Sequence, residues 1–196
     1  MRIGVIAIQG NVSEHVDALK RVFKERGEEG EAIEIKRSGL IPGCDGIVIP
    51  GGESTTLSRL IEREGMRSEI LEASESGVPI LGTCAGLILL AKDGDEEVKK
   101  TKQSLLKLMD IRVKRNAFGR QRESFEVLLE TSIFIEPFRA PFIRAPAIVK
   151  AERGVEVIAR FEDYIVAAKE NKLLALAFHP ELTEDTRFHH YFLDMV

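Results

Sequence analysis

The sequence has few cysteines, no tryptophan and no long apolar run. Cys44 and Cys84 are the only cysteines, too few for a disulfide framework, and the apolar run that opens the chain is too short for a signal peptide. We therefore expect a protein of the reducing cytoplasm. A membrane-spanning helix needs about 18 consecutive apolar residues, and charged residues or glycines interrupt every run before that length. The sequence accordingly predicts no membrane insertion.

An excess of basic residues is also missing. The 28 Lys and Arg residues are outnumbered by 32 Asp and Glu residues, and both signs are spread along the chain. Surfaces that bind nucleic acids concentrate Lys and Arg, so we expect no nucleic-acid partner. A chain of 196 residues with 44% hydrophobic residues is long enough for one buried core and short for two. We expect a single domain that spans residues 1–196.

Buried strands alternate with amphipathic helices in the first half of the chain. Apolar runs that end in turn residues predict strands at 3–8, 32–36, 46–49 and 78–81. Apolar residues at helical spacing predict helices from Val12 to Gly27, from a cap at Ser54 or Thr55, and from Gly65 to Glu75. This alternation is typical of an α/β fold with a doubly wound, largely parallel sheet and helices on both faces.

The second half of the chain has a different pattern. Its strands are short, which predicts mixed or antiparallel additions to the sheet at 111–114, 124–129, 147–150, 155–161, 164–169 and 173–178. A hairpin turn is predicted at 170–172 and a closing helix at 184–195. Between the halves, residues 92–102 are densely charged, and we interpret them as an exposed loop or a frayed helix end.

The sharpest local signal is the segment Gly82-Thr83-Cys84-Ala85-Gly86, which joins a buried strand to an apolar helix. A nucleophile with glycines two residues to either side is typical of a nucleophile elbow, in which only residues without a Cβ let strand and helix approach closely. The start of the helix also favours a thiolate over a thiol. We therefore predict that Cys84 is a nucleophile. Cys44 lacks the strand-to-helix context and is predicted to be structural.

A cysteine nucleophile needs a base, and the base needs a group that orients it. His179-Pro180-Glu181 follows a predicted apolar strand, and residues two apart in extended backbone point to the same side. We therefore predict that Glu181 reaches the imidazole of His179. The other histidines, His15, His189 and His190, lie on predicted helices without partners at the spacing of metal ligands, so no metal site is expected.

A glycine-rich turn, Pro50-Gly51-Gly52-Glu53-Ser54, follows the buried strand at 46–49. Backbone amides in such turns can hold the oxyanion that forms when a thiolate attacks a carbonyl group. In open α/β sheets ligands bind at the carboxyl edge of the strands, where the Cys84 elbow also lies. We expect the two turns to converge.

Together these features resemble a class I glutamine amidotransferase domain, whose triad is an elbow cysteine followed far downstream by a His-x-Glu pair. More narrowly, the chain resembles the glutaminase subunits of pyridoxal 5′-phosphate synthase over nearly its whole length. The segments that carry this resemblance are Ala7-Ile8-Gln9-Gly10, Pro50-Gly51-Gly52-Glu53-Ser54-Thr55, Arg115-Asn116-Ala117-Phe118-Gly119-Arg120-Gln121, Ser124-Phe125-Glu126, Phe142-Ile143-Arg144-Ala145-Pro146 and His179-Pro180-Glu181.

The resemblance implies a glutaminase that carries no cofactor and passes ammonia to a (β/α)8-barrel synthase, which makes pyridoxal phosphate from ribose 5-phosphate, glyceraldehyde 3-phosphate and that ammonia. It implies catalysis by Cys84, His179 and Glu181, and oxyanion donors at Gly52 and Ala85. The residues that it places around the bound glutamine are Gly52, Glu53, Ser54, Arg115, Ile143 and Arg144. The turn formed by Gln9, Gly10 and Asn11 is expected to dock on the synthase and to help complete the oxyanion site.

Three alternatives stay open at this point. The chain could serve a different ammonia acceptor, because a triad alone does not identify the acceptor, although the narrower segments argue against this. It could be a catalytically silent regulatory subunit, against which the intact Cys, His and Glu set argues. A cysteine peptidase could use the same elbow but gives no reason for Glu53, Arg115 and Arg144.

Overall fold

The computed structural model describes residues 1–119 and 123–196. Arg120 and Gln121, which belong to one of the segments that carry the resemblance, lie outside the described residues. The strands are β1 (Arg2–Ile6), β2 (Glu31–Ile35), β3 (Gly46–Ile49), β4 (Ile80–Thr83), β5 (Ala91–Gly94), β6 (Met109–Lys114), β7 (Ser124–Leu129), β8 (Phe138–Ile143), β9 (Ala147–Ala151), β10 (Glu156–Phe161), β11 (Tyr164–Glu170) and β12 (Leu173–Leu176). The helices are α1 (Val12–Arg26), α2 (Ser54–Arg63), α3 (Met66–Glu75), α4 (Ala85–Leu90), α5 (Glu96–Lys100) and α6 (Arg187–Leu193), with a 3₁₀ turn at Pro180–Leu182.

A ten-stranded sheet organises the chain, in the order β2-β1-β3-β4-β12-β11-β9-β6-β5, with β10 paired to β11. The first five strands in this order are mutually parallel, and β11, β9 and β6 continue the sheet through antiparallel pairs. The predicted α/β class, with a largely parallel sheet and antiparallel additions, is confirmed. Four adjacent parallel strands, β1, β3, β4 and β12, therefore end at the same edge of the sheet.

Strands β7 and β8 form a separate antiparallel hairpin. Its inner face is aromatic, and Phe138, Phe142, Phe178 and Phe188 are fully buried there. Phe142 packs edge-on against Phe178, with ring centroids 5.6 Å apart, and Phe138 packs against Phe188 at 4.8 Å. The first contact fixes the hairpin to the residue that precedes His179, and the second fixes it to α6. The sequence pattern missed β8 because Pro141 interrupts it, and proline cannot donate to a strand ladder.

The charged segment 92–102 is neither a loop nor a frayed helix end, and the prediction for it was wrong. It begins in β5, which pairs with β6 at the margin of the sheet, and continues as α5. The Asp95 carboxylate accepts a hydrogen bond from the Val98 amide at 3.1 Å and so caps this helix. Val98 is buried against Gly94. A single buried valine among charged residues gives too weak a periodic signal to predict a helix.

Several predicted boundaries also shift. Helix α2 is capped by Glu53, whose carboxylate accepts hydrogen bonds from the Thr55 and Thr56 amides, and not by Ser54 or Thr55. Helix α6 begins later than predicted, at Arg187, whose amide donates to Asp185. Among the helices of the described residues, none is long and apolar enough to cross a membrane.

Candidate active site

Cys84 lies between β4 and α4 with φ 49° and ψ −100°, a backbone conformation that residues other than glycine rarely adopt. A Cβ added to Gly86 would lie 2.1 Å from the Ile49 carbonyl oxygen, and one added to Gly82 would lie 2.7 Å from the Gly86 carbonyl carbon. Both glycines are therefore required by backbone packing. The Cys84 amide donates to the Leu176 carbonyl at 2.8 Å, which ties the turn to β12. The predicted strand-to-helix elbow is confirmed.

His179 follows β12 and is held from two sides. Its amide donates to the Pro141 carbonyl at 2.9 Å, and its ring Nδ1 lies 2.7 Å from Glu181 Oε1. The predicted contact between the two side chains is confirmed, but its geometry differs from the prediction. Glu181 lies inside the 3₁₀ turn that begins at Pro180, so the carboxylate reaches the imidazole across a tight turn and not along extended backbone. Proline favours this turn because its φ is already close to the helical value.

The electrostatics of this pair favour a proton on the imidazole. Burial lowers the pKa of His179, but hydrogen bonds to Cys84 and Glu181 and the negative charges of both groups outweigh burial and raise that pKa to about 10. Burial raises the pKa of Glu181, but the His15 ring, the His179 imidazole and the Asn11 amide outweigh it and lower that pKa to about 2. A charged imidazolium at neutral pH stabilises a neighbouring thiolate.

The glycine turn after β3 meets the elbow, as predicted. A Cβ added to Gly51 would lie 2.4 Å from the His179 ring and 3.3 Å from the Cys84 Cβ, so the Gly51 backbone is packed against both residues. The other side of the turn lies against the predicted docking segment. A Cβ on Gly52 would lie 2.1 Å from the side-chain nitrogen of Gln9, and one on Gly10 would lie 1.7 Å from the Gly51 carbonyl oxygen.

A cavity of about 320 Å³ opens above Cys84 and His179. All six residues predicted to surround a ligand line it, namely Gly52, Glu53, Ser54, Arg115, Ile143 and Arg144. Ala85 is buried at the start of α4, and neither it nor Gln9 and Gly10 belongs to the lining. The lining residues that the sequence did not assign to the ligand are Asn11, Ile88, Asn116 and Pro146.

Glu53 and Arg115 form an ion pair at the rim of this cavity. Burial raises the pKa of Glu53, but hydrogen bonds from Thr56 and Thr55 and the Arg115 guanidinium outweigh it and lower that pKa to about 2. The Arg115 backbone amide donates to Asp95 Oδ2 at 3.0 Å. The charged segment that the sequence assigned to solvated surface therefore supports a residue of the cavity.

A second set of groups contacts the buried carboxylate. Asn11, predicted only as a docking residue, donates its side-chain amide to Glu181 Oε1 at 3.0 Å. His15 Nε2 lies 3.4 Å from Glu181 Oε2, and its Nδ1 lies 3.2 Å from His189 Nε2. In the part of the chain that the structure describes, no group of three or more His, Cys, Asp or Glu residues could hold a metal ion.

Cys44 lies outside the cavity lining. It is buried and free, its thiol donates to the Leu40 carbonyl at 3.4 Å, and burial raises the pKa of this thiol. A thiol that is kept protonated is a poor nucleophile. This environment fits the predicted structural role.

Comparisons with known proteins identify the family of this chain. Residues 5–196 match the model of the SNO glutamine amidotransferase family. The chain is 65% identical over 196 residues to a protein from Methanosarcina mazei named pyridoxal 5′-phosphate synthase subunit PdxT, covering 100% of this chain and 98% of the relative. It is 53% identical over 195 residues to the protein of the same name from Archaeoglobus fulgidus, covering 100% and 98%.

Solved structures of other proteins also superpose on this chain. One described as a glutamine amidotransferase superposes with a TM-score of 0.88 at 43% identity, covering 98% of this chain and 97% of that one. The PurLQS structure from Thermotoga maritima superposes with a TM-score of 0.67 at 17% identity, covering 98% and 97%, which shows a shared fold.

Proposed function

The chain belongs to the SNO glutamine amidotransferase family, and we propose that it hydrolyses the side-chain amide of glutamine and delivers the ammonia to pyridoxal 5′-phosphate synthase. The observation that carries this proposal is the series formed by Cys84, His179 and Glu181 at the cavity. The relatives named as synthase subunits, which cover the whole chain, support the choice of acceptor.

The proposed reaction begins when the Cys84 thiolate attacks the amide carbon of glutamine. The oxyanion that forms accepts hydrogen bonds from the Gly52 and Ala85 amides. His179 then gives its proton to the departing nitrogen, the carbon–nitrogen bond breaks, and ammonia and a γ-glutamyl thioester result. In the second half, His179 takes a proton from water, the hydroxide attacks the thioester, and glutamate leaves as the thiolate re-forms. Glu181 keeps the imidazole oriented throughout and stabilises its charged form.

Glutamine also presents an α-carboxylate and an α-ammonium group, and the cavity offers charges of opposite sign. Arg144 and Glu53 both line it, as do Ser54 and Ile143. Charge-assisted hydrogen bonds at these positions would fix the amino-acid end of the substrate, which leaves the amide at Cys84. Arg115 holds the Glu53 carboxylate in place through their ion pair.

The proposed partner is a (β/α)8-barrel synthase that docks on the turn formed by Gln9, Gly10 and Asn11. Gly10 is exposed, yet its backbone lies against the Gly51 carbonyl, so a partner that presses on this turn reaches the oxyanion site directly. A donor misplaced by about an ångström loses much of its catalytic value, on the order of a hundredfold in rate. Glutaminase turnover should therefore rise when the synthase is added, and a Gln9→Ala variant that still binds should respond less. Equal turnover with and without synthase would contradict partner activation and leave the triad untouched.

The triad is tested with a matched pair of cysteine variants. Cys84→Ala should fold, bind glutamine and release no ammonia, whereas Cys44→Ser should keep its turnover, because only Cys84 lines the cavity. Ammonia and glutamate are measured with and without the barrel synthase, and pyridoxal phosphate is measured in the mixture. Normal turnover in Cys84→Ala would refute the mechanism. Ammonia release without pyridoxal phosphate formation would refute the choice of acceptor.

A further inference from the structure

A series of fully buried groups, which the proposed reaction does not use, lies next to Glu181. His15 on α1 and His189 on α6 are both 0% exposed. His15 Nε2 lies 3.4 Å from Glu181 Oε2 and 3.1 Å from the Thr83 hydroxyl, and its Nδ1 lies 3.2 Å from His189 Nε2. His15 therefore contacts the residue next to the nucleophile and also the carboxylate that orients the base.

The protonation states in this series follow from its surroundings. Burial lowers the pKa of His15, and burial lowers the pKa of His189 to about 3, so both rings are neutral near pH 7. A neutral imidazole has one donor nitrogen and one acceptor nitrogen, whereas an ionised carboxylate only accepts. Glu181 Oε1 already accepts from His179 and Asn11, whereas Oε2 has no hydrogen-bond partner among the described residues and lies 3.4 Å from His15 Nε2.

These constraints assign the tautomers. The His15 proton lies on Nε2, where it faces Glu181 Oε2 and Thr83 Oγ1, and Nδ1 is left as an acceptor. His189 must then donate from its own Nε2, and its Nδ1 is the unprotonated nitrogen. That atom is buried and has no hydrogen-bond partner in the described part of the chain, as an unprotonated nitrogen in apolar surroundings would.

We propose that His15 is a positioning residue for glutamine hydrolysis: its neutral ring bonds to Thr83 and turns the polar Nε2–H toward the second oxygen of Glu181, while His189 fixes its tautomer. The inference rests on the proposed function, because it concerns how Glu181 orients His179. Asn11 is the residue that precedes α1, and His15 lies four residues further on, in the first turn of this helix. They contact opposite oxygens of the same carboxylate, so α1 limits rotation of the Glu181 side chain from both ends.

The first experiment compares three variants in steady-state glutaminase assays with saturating synthase. His15→Leu removes both nitrogens, His15→Gln keeps an N–H donor near the position of Nε2, and His190→Gln changes a partly exposed histidine on α6 that bonds to Glu25. His15→Leu should lower kcat about tenfold to a hundredfold, because the polar Nε2–H that faces the buried, charged Glu181 carboxylate is lost, and should change KM little. His15→Gln should recover most of the loss, and His190→Gln should match the wild type.

The acid limb of the pH profile of kcat/KM supplies a readout that simple loss of packing would not move. Removal of a donor raises the pKa of a carboxylate, so this limb should shift to higher pH in His15→Leu and return in His15→Gln. The titratable and charged groups around the series are Cys84, His179 and Glu181 at the site, Glu14 and Arg21 on α1, and His189 and His190 on α6. His190→Gln is the control here, because it removes a neighbouring titratable group that does not contact Glu181, and the acid limb should stay in place.

Nitrogen NMR of histidine-labelled protein tests the tautomers without any assay of activity. Both His15 and His189 should show the neutral form with the proton on Nε2. If His15→Leu does not fold, His189→Phe takes its place, since it removes only the donor to His15, and it should lower kcat severalfold at unchanged KM. An inactive wild type would refute the proposed function. An active wild type whose turnover and acid limb are unchanged in His15→Leu, or in His189→Phe, would overturn the positioning role.

Discussion

The substitution Gly51→Ala tests how closely the site is packed. Gly51 is buried beside the triad, and a methyl group there would lie 2.4 Å from His179 Cε1 and 3.0 Å from its Nδ1. Ordinary contacts begin near 3.4 Å, so the ring must move by about 1 Å. It cannot swing freely, because Glu181 holds Nδ1 and the Pro141 carbonyl holds the His179 amide. The movement therefore falls on the alignment with Cys84.

The size of the effect follows from this displacement. A misplacement of about 1 Å in a reacting group costs on the order of a hundredfold in rate, or about 2.7 kcal/mol of transition-state stabilisation. Overpacking costs roughly 1–3 kcal/mol of folding stability, and each kcal/mol lowers Tm by roughly 2–4 °C in a chain of this length. We therefore expect a folded protein with Tm lowered by about 2–12 °C and kcat lowered about a hundredfold. KM should change less, since Glu53 and Arg144 are untouched.

Glutamate production and thermal unfolding are measured for this variant beside Gly27→Ala. Gly27 ends α1 with φ 63°, and a Cβ there would meet nothing within 4 Å. Alanine at that position costs about 1 kcal/mol of backbone strain, so it lowers Tm without touching the site. If Gly51→Ala turned over glutamine as fast as Gly27→Ala, packing of Gly51 would not set the position of the imidazole, and the reasoning would be wrong.

Three further predictions concern the rim of the cavity and the buried ring of His189. Arg144→Ala should raise KM for glutamine about tenfold, since a charge-assisted contact is lost, whereas the exposed Arg153→Ala should not change it. Asp95→Ala should lower Tm through the lost helix cap, worth about 1 kcal/mol, and should also raise KM, because Asp95 holds the Arg115 amide. The pKa of His189 is lowered to about 3 in the folded protein, so only the unfolded state takes up this proton as pH falls below about 6.5. The free energy of unfolding, measured by urea titration at several pH values, should then fall by up to about 1.4 kcal/mol for each unit that the pH is lowered. The fall should be less steep in His189→Phe. An equal slope in the two proteins would contradict burial of a neutral ring.

The parts of the site that could be predicted are those whose geometry is local. The elbow needs small residues at Gly82 and Gly86 because of contacts within a few residues of Cys84 and with the neighbouring strand, and this requirement is visible in the sequence. The pair of His179 and Glu181 is also local, although the turn that joins them was predicted incorrectly. Proline favours several backbone conformations, and the sequence does not choose between extended backbone and a 3₁₀ turn.

The missed residues act across long separations in the chain. Asn11 and His15 contact a carboxylate more than 160 residues away. The sequence placed Asn11 only in a docking turn, and His15 looks alone like an ordinary helix residue. His15 in particular has no metal-ligand partner nearby in sequence, so the pattern offered no role for it. Asp95 was missed because a densely charged segment is usually solvated surface, and only the folded chain places its carboxylate against the Arg115 amide.

The place of β12 in the sheet has a consequence for the order of folding. It is the last strand along the chain, yet it lies between β4 and β11 and joins the parallel half of the sheet to the antiparallel half. Until it is synthesised and inserted, β4 and β11 each keep an apolar edge open, which invites aggregation, and such distant pairings form slowly. His179 lies three residues beyond β12, so the proposed base reaches Cys84 only when this strand is in place. A chain in which β12 is not yet inserted therefore carries Cys84 without its proposed base, and amide hydrolysis has to await this strand.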